Sequence, residues 1–237
     1  MNIKKHIPNA ITCCNLLCGC LAIVQIFGGN LVYAAYLVGL AAVFDFFDGF
    51  AARMLKVSST IGKDLDSLAD MVTFGVVPGL VMFKLIQLSI VNYTLPITIS
   101  YIAFLIPIFS ALRLAKFNND TRQTESFIGL NTPANSMVIC SIPLIFKQYP
   151  NLETLLNPYV LCVLSVGLSL LLVSEIPIFA LKFKHFKWNG NEIRFVFLGL
   201  SLLMLITLQF LGIPLIIIMY VLLSLLTNYL AKRKVRK

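Results

Sequence analysis

At 237 residues the chain has the length of one or two domains, but 59% of it is hydrophobic and only 12% charged, with a mean hydropathy of +0.90. An ordinary soluble domain carries about 25% charged residues, so a water-soluble globular fold is excluded and the lipid bilayer becomes the solvent. The net charge of +9 does not point to nucleic acid, because Lys and Arg sit in short clusters between long apolar runs, the pattern that orients a membrane protein.

Taken in chain order, eight apolar stretches are candidate spans, at 7–28, 31–55, 65–90, 95–117, 133–146, 159–183, 193–211 and 213–230. The fifth is the shortest. The expected fold is therefore all-α, a polytopic membrane helical bundle of about eight transmembrane helices. The first stretch runs past signal-peptide length and reads as a retained helix. Lys4 and Lys5 precede it, and Arg53, Lys56 and Lys63 lie between the second and third. Arg113, Lys116 and Arg122 separate the fourth from the fifth, and Lys182, Lys184, Lys187 and Arg194 the sixth from the seventh. Lys232, Arg233, Lys234, Arg236 and Lys237 follow the last. Seventeen of the nineteen basic residues thus fall on one side, with Lys84 and Lys147 as the exceptions. The positive-inside rule predicts cytoplasmic termini and an even number of crossings.

The acids are concentrated. Five of the ten carboxylates, Asp45, Asp48, Asp64, Asp66 and Asp70, fall at the junction of the second and third stretches, although ionisable groups at membrane depth are costly and default to function. At 100° per residue, Asp45, Asp48, Gly49, Ala52 and Arg53 share one helix face, at about 0°, 300°, 40°, 340° and 80°. On the next helix Gly62, Asp66 and Asp70 recur every four residues and form a second stripe, whereas Asp64 points away. A short loop makes the two helices antiparallel neighbours, so four carboxylates converge at the cytoplasmic end. With no His or Cys among them, the natural neutralisers are hard divalent cations, two Mg²⁺ or Mn²⁺ ions, and such a pair clamps a transferring phosphoryl group. Gly49, Ala52 and Gly62 leave room for a ligand to approach the backbone, and the Arg53 guanidinium is suited to phosphate oxygens.

Cys13, Cys14, Cys18 and Cys20 fit no zinc spacing and read as small apolar packing residues. The phenylalanines at 44, 46, 47 and 50 read as lipid-facing and packing surface.

The string Asp45-Phe-Phe-Asp48-Gly49-Phe-Ala-Ala52-Arg53, then Gly62, Asp66 and Asp70 at the same intervals, resembles the DxxDGxxAR(x8)GxxxDxxxD motif of the CDP-alcohol phosphotransferases. The run from Gly62 to Pro78, Arg113-Leu-Ala-Lys-Phe-Asn118 and Phe127-Ile-Gly-Leu130 are similar to the bacterial phosphatidylserine synthase branch of that family, over roughly residues 1–150. Asn131 departs from the branch, which often has Pro after Gly-Leu. The resemblance implies transfer of the phosphatidyl group of CDP-diacylglycerol to L-serine, with release of CMP. It implies that Asp45, Asp48, Asp66 and Asp70 hold the metal pair, with Asp70 also the general base, and that Asn9, Thr12, Gly49, Ala52, Arg53, Ser59 and Gly62 bind CDP-diacylglycerol. Arg113 would grip the serine carboxylate, with Asn118 beside it. A homodimer in the cell membrane, embedded among its lipids, with the site facing the cytoplasm, is likewise implied.

The domain division expected is 1–183 for the catalytic membrane domain, a six-helix core, and 184–237 for two further helices and a basic tail. Two other readings stay open: a sibling enzyme using glycerol 3-phosphate or an inositol phosphate, served by Lys116 and Arg122, and, from another class, a cation transporter.

Overall fold

The computed structural model describes residues 6–57, 59–91, 93–120, 126–155, 157–179, 188 and 191–235. Two antiparallel helices, α1 (His6–Phe27) and α2 (Leu31–Leu55), open the chain. They are joined by a tight turn in which Gly29 takes φ +80° and the Asn30 amide reaches back to the Gln25 carbonyl. Small residues, Ala22 on α1 and Ala34, Ala35 and Ala41 on α2, are buried and let the two backbones approach closely.

The third span, Thr60–Ile90, is the axis of the bundle: 56% of its apolar window is buried, against 28–33% for the spans on either side. It consists of α3 (Thr60–Asp70), one π-helical turn (Met71–Val76) and α4 (Val77–Ile90). Phe74, Val77, Val81, Met82 and Ile86 are fully buried along it. A 3₁₀ stretch, Ile97–Phe104, leads into α5 (Leu105–Asn119). Next come α6 (Thr132–Gln148), started by Asn131, whose Oδ1 accepts from the Ala134 amide at 3.0 Å, and α7 (Pro158–Val173). The chain closes with α8 (Glu192–Leu208) and α9 (Gly212–Val235), separated by a break at Gln209–Leu211.

Among the described residues, five stretches are long and apolar enough to cross a bilayer: His6–Phe27, Leu31–Leu55, Thr60–Ile90, Ile97–Asn119 and Glu192–Leu230, the last containing the α8–α9 break. At 17 and 16 residues, α6 and α7 are shorter. The outer faces carry large apolar side chains, among them Phe46, Phe47 and Phe50, which pack on one another while staying exposed. This is a polytopic helical membrane protein.

One expectation is corrected. The sixth stretch, predicted to run as helix to residue 183, ends at Val173, and the chain turns into a short strand, β2 (Pro177–Phe179), antiparallel to β1 (Ser126–Ile128). Ser174 is already extended, at ψ 145°, and Pro177 has no amide to continue a helix. The rest of that stretch, 180–183, lies outside the described residues, as do Lys4, Lys5, Arg122, Lys182, Lys184, Lys187, Arg236 and Lys237. Gly129 makes the junction possible: it has φ +74°, and a Cβ there would stand 2.7 Å from the Leu172 carbonyl oxygen and 2.8 Å from that of Ser174. Its amide donates to Ile176 and that of Leu130 to Leu171, satisfying carbonyls left over at the end of α7. Gly129→Ala is expected to destabilise the protein by about 2 kcal/mol, since it adds both strain and a clash; thermal unfolding in detergent measures this.

Candidate active site

Three helix ends build the site. The end of α2 is closed by Lys56 in the left-handed conformation (φ 52°), its amide donating to the Ala52 and Arg53 carbonyls. After a short loop, Ser59 caps α3 by accepting the Gly62 amide on its Oγ at 2.9 Å. These two stops turn the chain from α2 into α3, and α1, which packs against both, holds the two together in place of direct packing between them.

One carboxylate oxygen each from Asp45, Asp48 and Asp66 lies within 4.8 Å of the others. Asp70 lies outside that set of three but close enough to Asp45 for the two carboxylates to interact, and like charges so placed favour a proton or a cation between them. Asp66 Oδ1 is buried without a partner. Hard oxygen donors, one of them orphaned, fit a divalent cation. Asp64 is exposed, on the other side of α3.

Helix α1 supplies the supports. Thr12 Oγ1 lies 2.6 Å from Asp48 Oδ2, to which it donates, and 3.1 Å from the Pro8 carbonyl. Asn15 Nδ2 donates to Asp70 Oδ1 at 3.3 Å, and the Asn15 carbonyl in turn accepts from Thr73 Oγ1 at 3.2 Å. A Cβ on Gly19 would lie 2.4 Å from that same Thr73 hydroxyl, so the lack of a side chain at residue 19 allows the π-helical turn after Asp70 to approach α1. A π-helical turn shifts the register of the side chains that follow it. Asp66 and Asp70 precede this turn, whereas Phe74 within it and Val77 after it are fully buried in the core.

A cavity of about 270 Å³ opens beside the carboxylates. Pro8, Asn9 and Thr12 line it from α1, Asp48, Gly49 and Ala52 from α2, and Ser59, Gly62, Lys63 and Asp66 from the loop and α3. Of the residues expected to bind CDP-diacylglycerol, Asn9, Thr12, Gly49, Ala52, Ser59 and Gly62 therefore line this cavity; Arg53 does not, and its Nη1 stands 3.4 Å from where a Gly49 Cβ would be. A Cβ on Gly62 would lie 2.8 Å from Ser59 Oγ and 3.0 Å from Asn9 Oδ1, so glycine here keeps the cap and the cavity wall intact.

The two acceptor-side candidates separate. Arg113 is buried, donates from Nε to the Leu130 carbonyl at 2.8 Å, lies over the Phe117 ring, and is close enough to Asp70 to act on its charge. The Asn118 side chain turns to α3 instead, donating to Ser67 Oγ at 2.8 Å, while the main-chain carbonyl of Asn118 accepts from Lys63 Nζ at 3.0 Å.

Sequence reasoning missed Asn15 and Lys63 as site residues. Asn15 had a legible signal: a polar amide inside an apolar span, in phase with Pro8, Thr12, Gly19 and Ala22, all buried. Lys63, next to Gly62, reads from sequence only as one of the charges that orient the chain.

With this geometry in view, comparisons with known proteins are decisive. Residues 5–173 match the family model described as CDP-alcohol phosphatidyltransferase. The chain belongs to the CDP-alcohol phosphatidyltransferase family. The family uses divalent cations, and in this CDP-alcohol phosphatidyltransferase Asp45, Asp48 and Asp66 form a cluster that can bind one. The chain is 38% identical over 188 residues to the CDP-diacylglycerol-serine O-phosphatidyltransferase of Bacillus subtilis, covering 79% of this chain and 95% of that one. It is 31% identical over 210 residues to the enzyme of the same name from Helicobacter pylori, covering 87% and 84%. To the Methanocaldococcus jannaschii protein of that name it is 30% identical over 170 residues, covering 72% of each chain. The family match stops at the last residue of α7.

Proposed function

We propose that this chain is a CDP-diacylglycerol-serine O-phosphatidyltransferase, transferring the phosphatidyl group of CDP-diacylglycerol to the hydroxyl of L-serine and releasing CMP. The observation that carries this reading is the convergence of Asp45, Asp48, Asp66 and Asp70 next to a cavity lined by small and polar residues; relatives bearing that enzyme name match most of the chain.

Asp45, Asp48, Asp66 and Asp70 would hold two divalent cations, Mg²⁺ or Mn²⁺, which when bound supply charge neutralisation of the diphosphate. Asn9, Thr12, Gly49, Ala52, Ser59 and Gly62 seat the nucleotide end of CDP-diacylglycerol, and its acyl chains remain in the bilayer. Asp70 takes the proton of the serine hydroxyl, and Asn15, donating to Asp70 Oδ1, holds that carboxyl in place. The serine oxygen then forms a bond to the phosphorus that carries diacylglycerol. The bond from that phosphorus to the CMP oxygen breaks, and its electron pair leaves on CMP. Lys63, which lines the cavity, and Arg53, beside Gly49, balance the charge gathering on the departing phosphate. Arg113 grips the serine carboxylate and Asn118 orders the loop end of α5 against α3.

The protein sits in the cell membrane as a homodimer, with both termini and the site on the cytoplasmic side where CDP-diacylglycerol headgroups and serine meet. Residues 1–183 form the catalytic domain and 184–237 an appended pair of helices with a basic tail.

The test is CMP release by the purified protein in detergent with CDP-diacylglycerol and Mg²⁺ or Mn²⁺, comparing L-serine, glycerol 3-phosphate and an inositol phosphate. Release that depends on serine is the expected result. Release with a phosphorylated acceptor alone would replace the acceptor, and no release with any of them would return the carboxylates to cation transport.

A further inference from the structure

Helices α8 and α9 lie beyond the family match, and no step above uses them. They stand largely clear of the bundle: 6% of their apolar window is buried, against 28% or more for the other four spans. Side-chain amides nevertheless tie them to the rest of the chain at both ends of α9. At the break before α9, Gln148 Nε2 at the end of α6 donates to Gln209 Oε1 at 2.6 Å. Near the other end of α9, Asn228 Nδ2 donates to the Pro177 carbonyl at 2.5 Å.

The second tie falls on an element that needs support. Strands β1 and β2 are three residues each, with Ile128 opposite Pro177 and Phe127 opposite Ile178, and a lone two-stranded ribbon is marginally stable at best. Helix α9 packs on β2, and Ile178 is buried. On its other side the ribbon leads to Arg113. Leu130 follows β1 directly after Gly129, and its carbonyl accepts from Arg113 Nε at 2.8 Å. Ile128 of β1, with Ser174 and Glu175 of the link to β2, also walls a water-sized cavity of about 30 Å³ that Arg113 and Lys116 line from α5. The ribbon thus stands between α9 and the guanidinium.

We propose that Asn228 is a positioning residue for the acceptor side of the reaction: by holding β2 through the Pro177 carbonyl it fixes β1, the Leu130 carbonyl and with them the setting of Arg113. This rests on the phosphatidyl-transfer reading above, in which Arg113 grips the serine carboxylate. A guanidinium recognises a carboxylate through a rigid planar fork, so its aim matters as much as its charge. The cavity for CDP-diacylglycerol is lined from α1, α2, α3 and the loop before α3, so the effect of Asn228 is confined to the acceptor.

The experiment compares Asn228→Leu and Gln209→Leu in the full chain in detergent. Gln209→Leu cuts the tie at the opposite end of α9 and shows what loosening the helix pair does by itself. Amide hydrogen exchange over 126–130 is expected to quicken about tenfold in Asn228→Leu, the equivalent of one lost hydrogen bond, and to stay at the parent's rate in Gln209→Leu. In CMP release, KM for serine is expected to rise about tenfold in Asn228→Leu, with kcat and KM for CDP-diacylglycerol within about twofold of the parent. Gln209→Leu should leave all three constants within about twofold. A parent without serine-dependent release whose 126–130 exchange still quickens in Asn228→Leu would sink the transfer reading and leave the hold of Asn228 on the ribbon standing. Unchanged exchange, an unchanged serine KM in an active parent, an equal rise in KM for CDP-diacylglycerol, or a Gln209→Leu variant that matches Asn228→Leu overturns the proposal.

Discussion

Asp70→Asn is expected to lower serine-dependent CMP release by about a thousandfold or more, without loss of folded protein. Two losses add at this residue: the oxygen that accepts the hydroxyl proton, and one of the carboxylates around the cation site. The amide is close to isosteric and removes a negative charge from a crowded cluster, so without divalent cation the variant should unfold at the parent's temperature or above. Asn15→Leu makes the informative contrast, because Asn15 touches Asp70 rather than substrate. Its loss leaves the carboxylate present but unheld, and supports of this kind are worth about 10- to 100-fold. Steady-state CMP release at saturating CDP-diacylglycerol separates the two. If Asp70→Asn keeps more than about a tenth of the parent rate, the assignment of Asp70 as base is wrong.

Stripping divalent cations with a chelator is expected to abolish CMP release completely and reversibly, and also to lower the unfolding midpoint. The sign follows from the geometry. With oxygens of Asp45, Asp48 and Asp66 within 4.8 Å of one another and Asp70 near enough to Asp45 to interact with it, the folded state concentrates negative charge that the unfolded chain disperses. A cation that binds only the folded state at about a hundred times its Kd contributes about 2.7 kcal/mol, and removing it returns that amount. Asp66→Asn should behave oppositely in the two readouts, being inactive with cation yet more stable than the parent once both are stripped. Differential scanning fluorimetry with and without Mn²⁺ reports the stability arm. Full turnover in excess chelator would refute the cation requirement.

Much of this site was legible because helical periodicity is local. The 3.6-residue repeat alone puts Asp45, Asp48, Gly49 and Arg53 on one face and Gly62, Asp66 and Asp70 on another, whereas the packing that brings the two stripes together comes through α1, which touches both helices. The exposure of Asp64 followed from the same arithmetic. Thr12 was placed with the nucleotide, and it does line the cavity, but its hydroxyl is committed to Asp48. That pairing joins residues 36 positions apart, which no local period encodes.

By itself, then, the sequence determined the solvent, the helical class, the apolar stretches and the two acidic stripes, because each depends on composition or on spacing within one helix. Only the tertiary structure decided that Asn15 reaches Asp70, that a π-helical turn re-aims the third span beneath it, that α7 stops at Val173 to pair a strand with residues 126–128, and that Arg113 is drawn inward to the Leu130 carbonyl. Each of these is a contact between elements far apart in the chain. Their free energy comes from satisfying one segment's leftover polar groups with another's, and that balance exists only once the helices have packed.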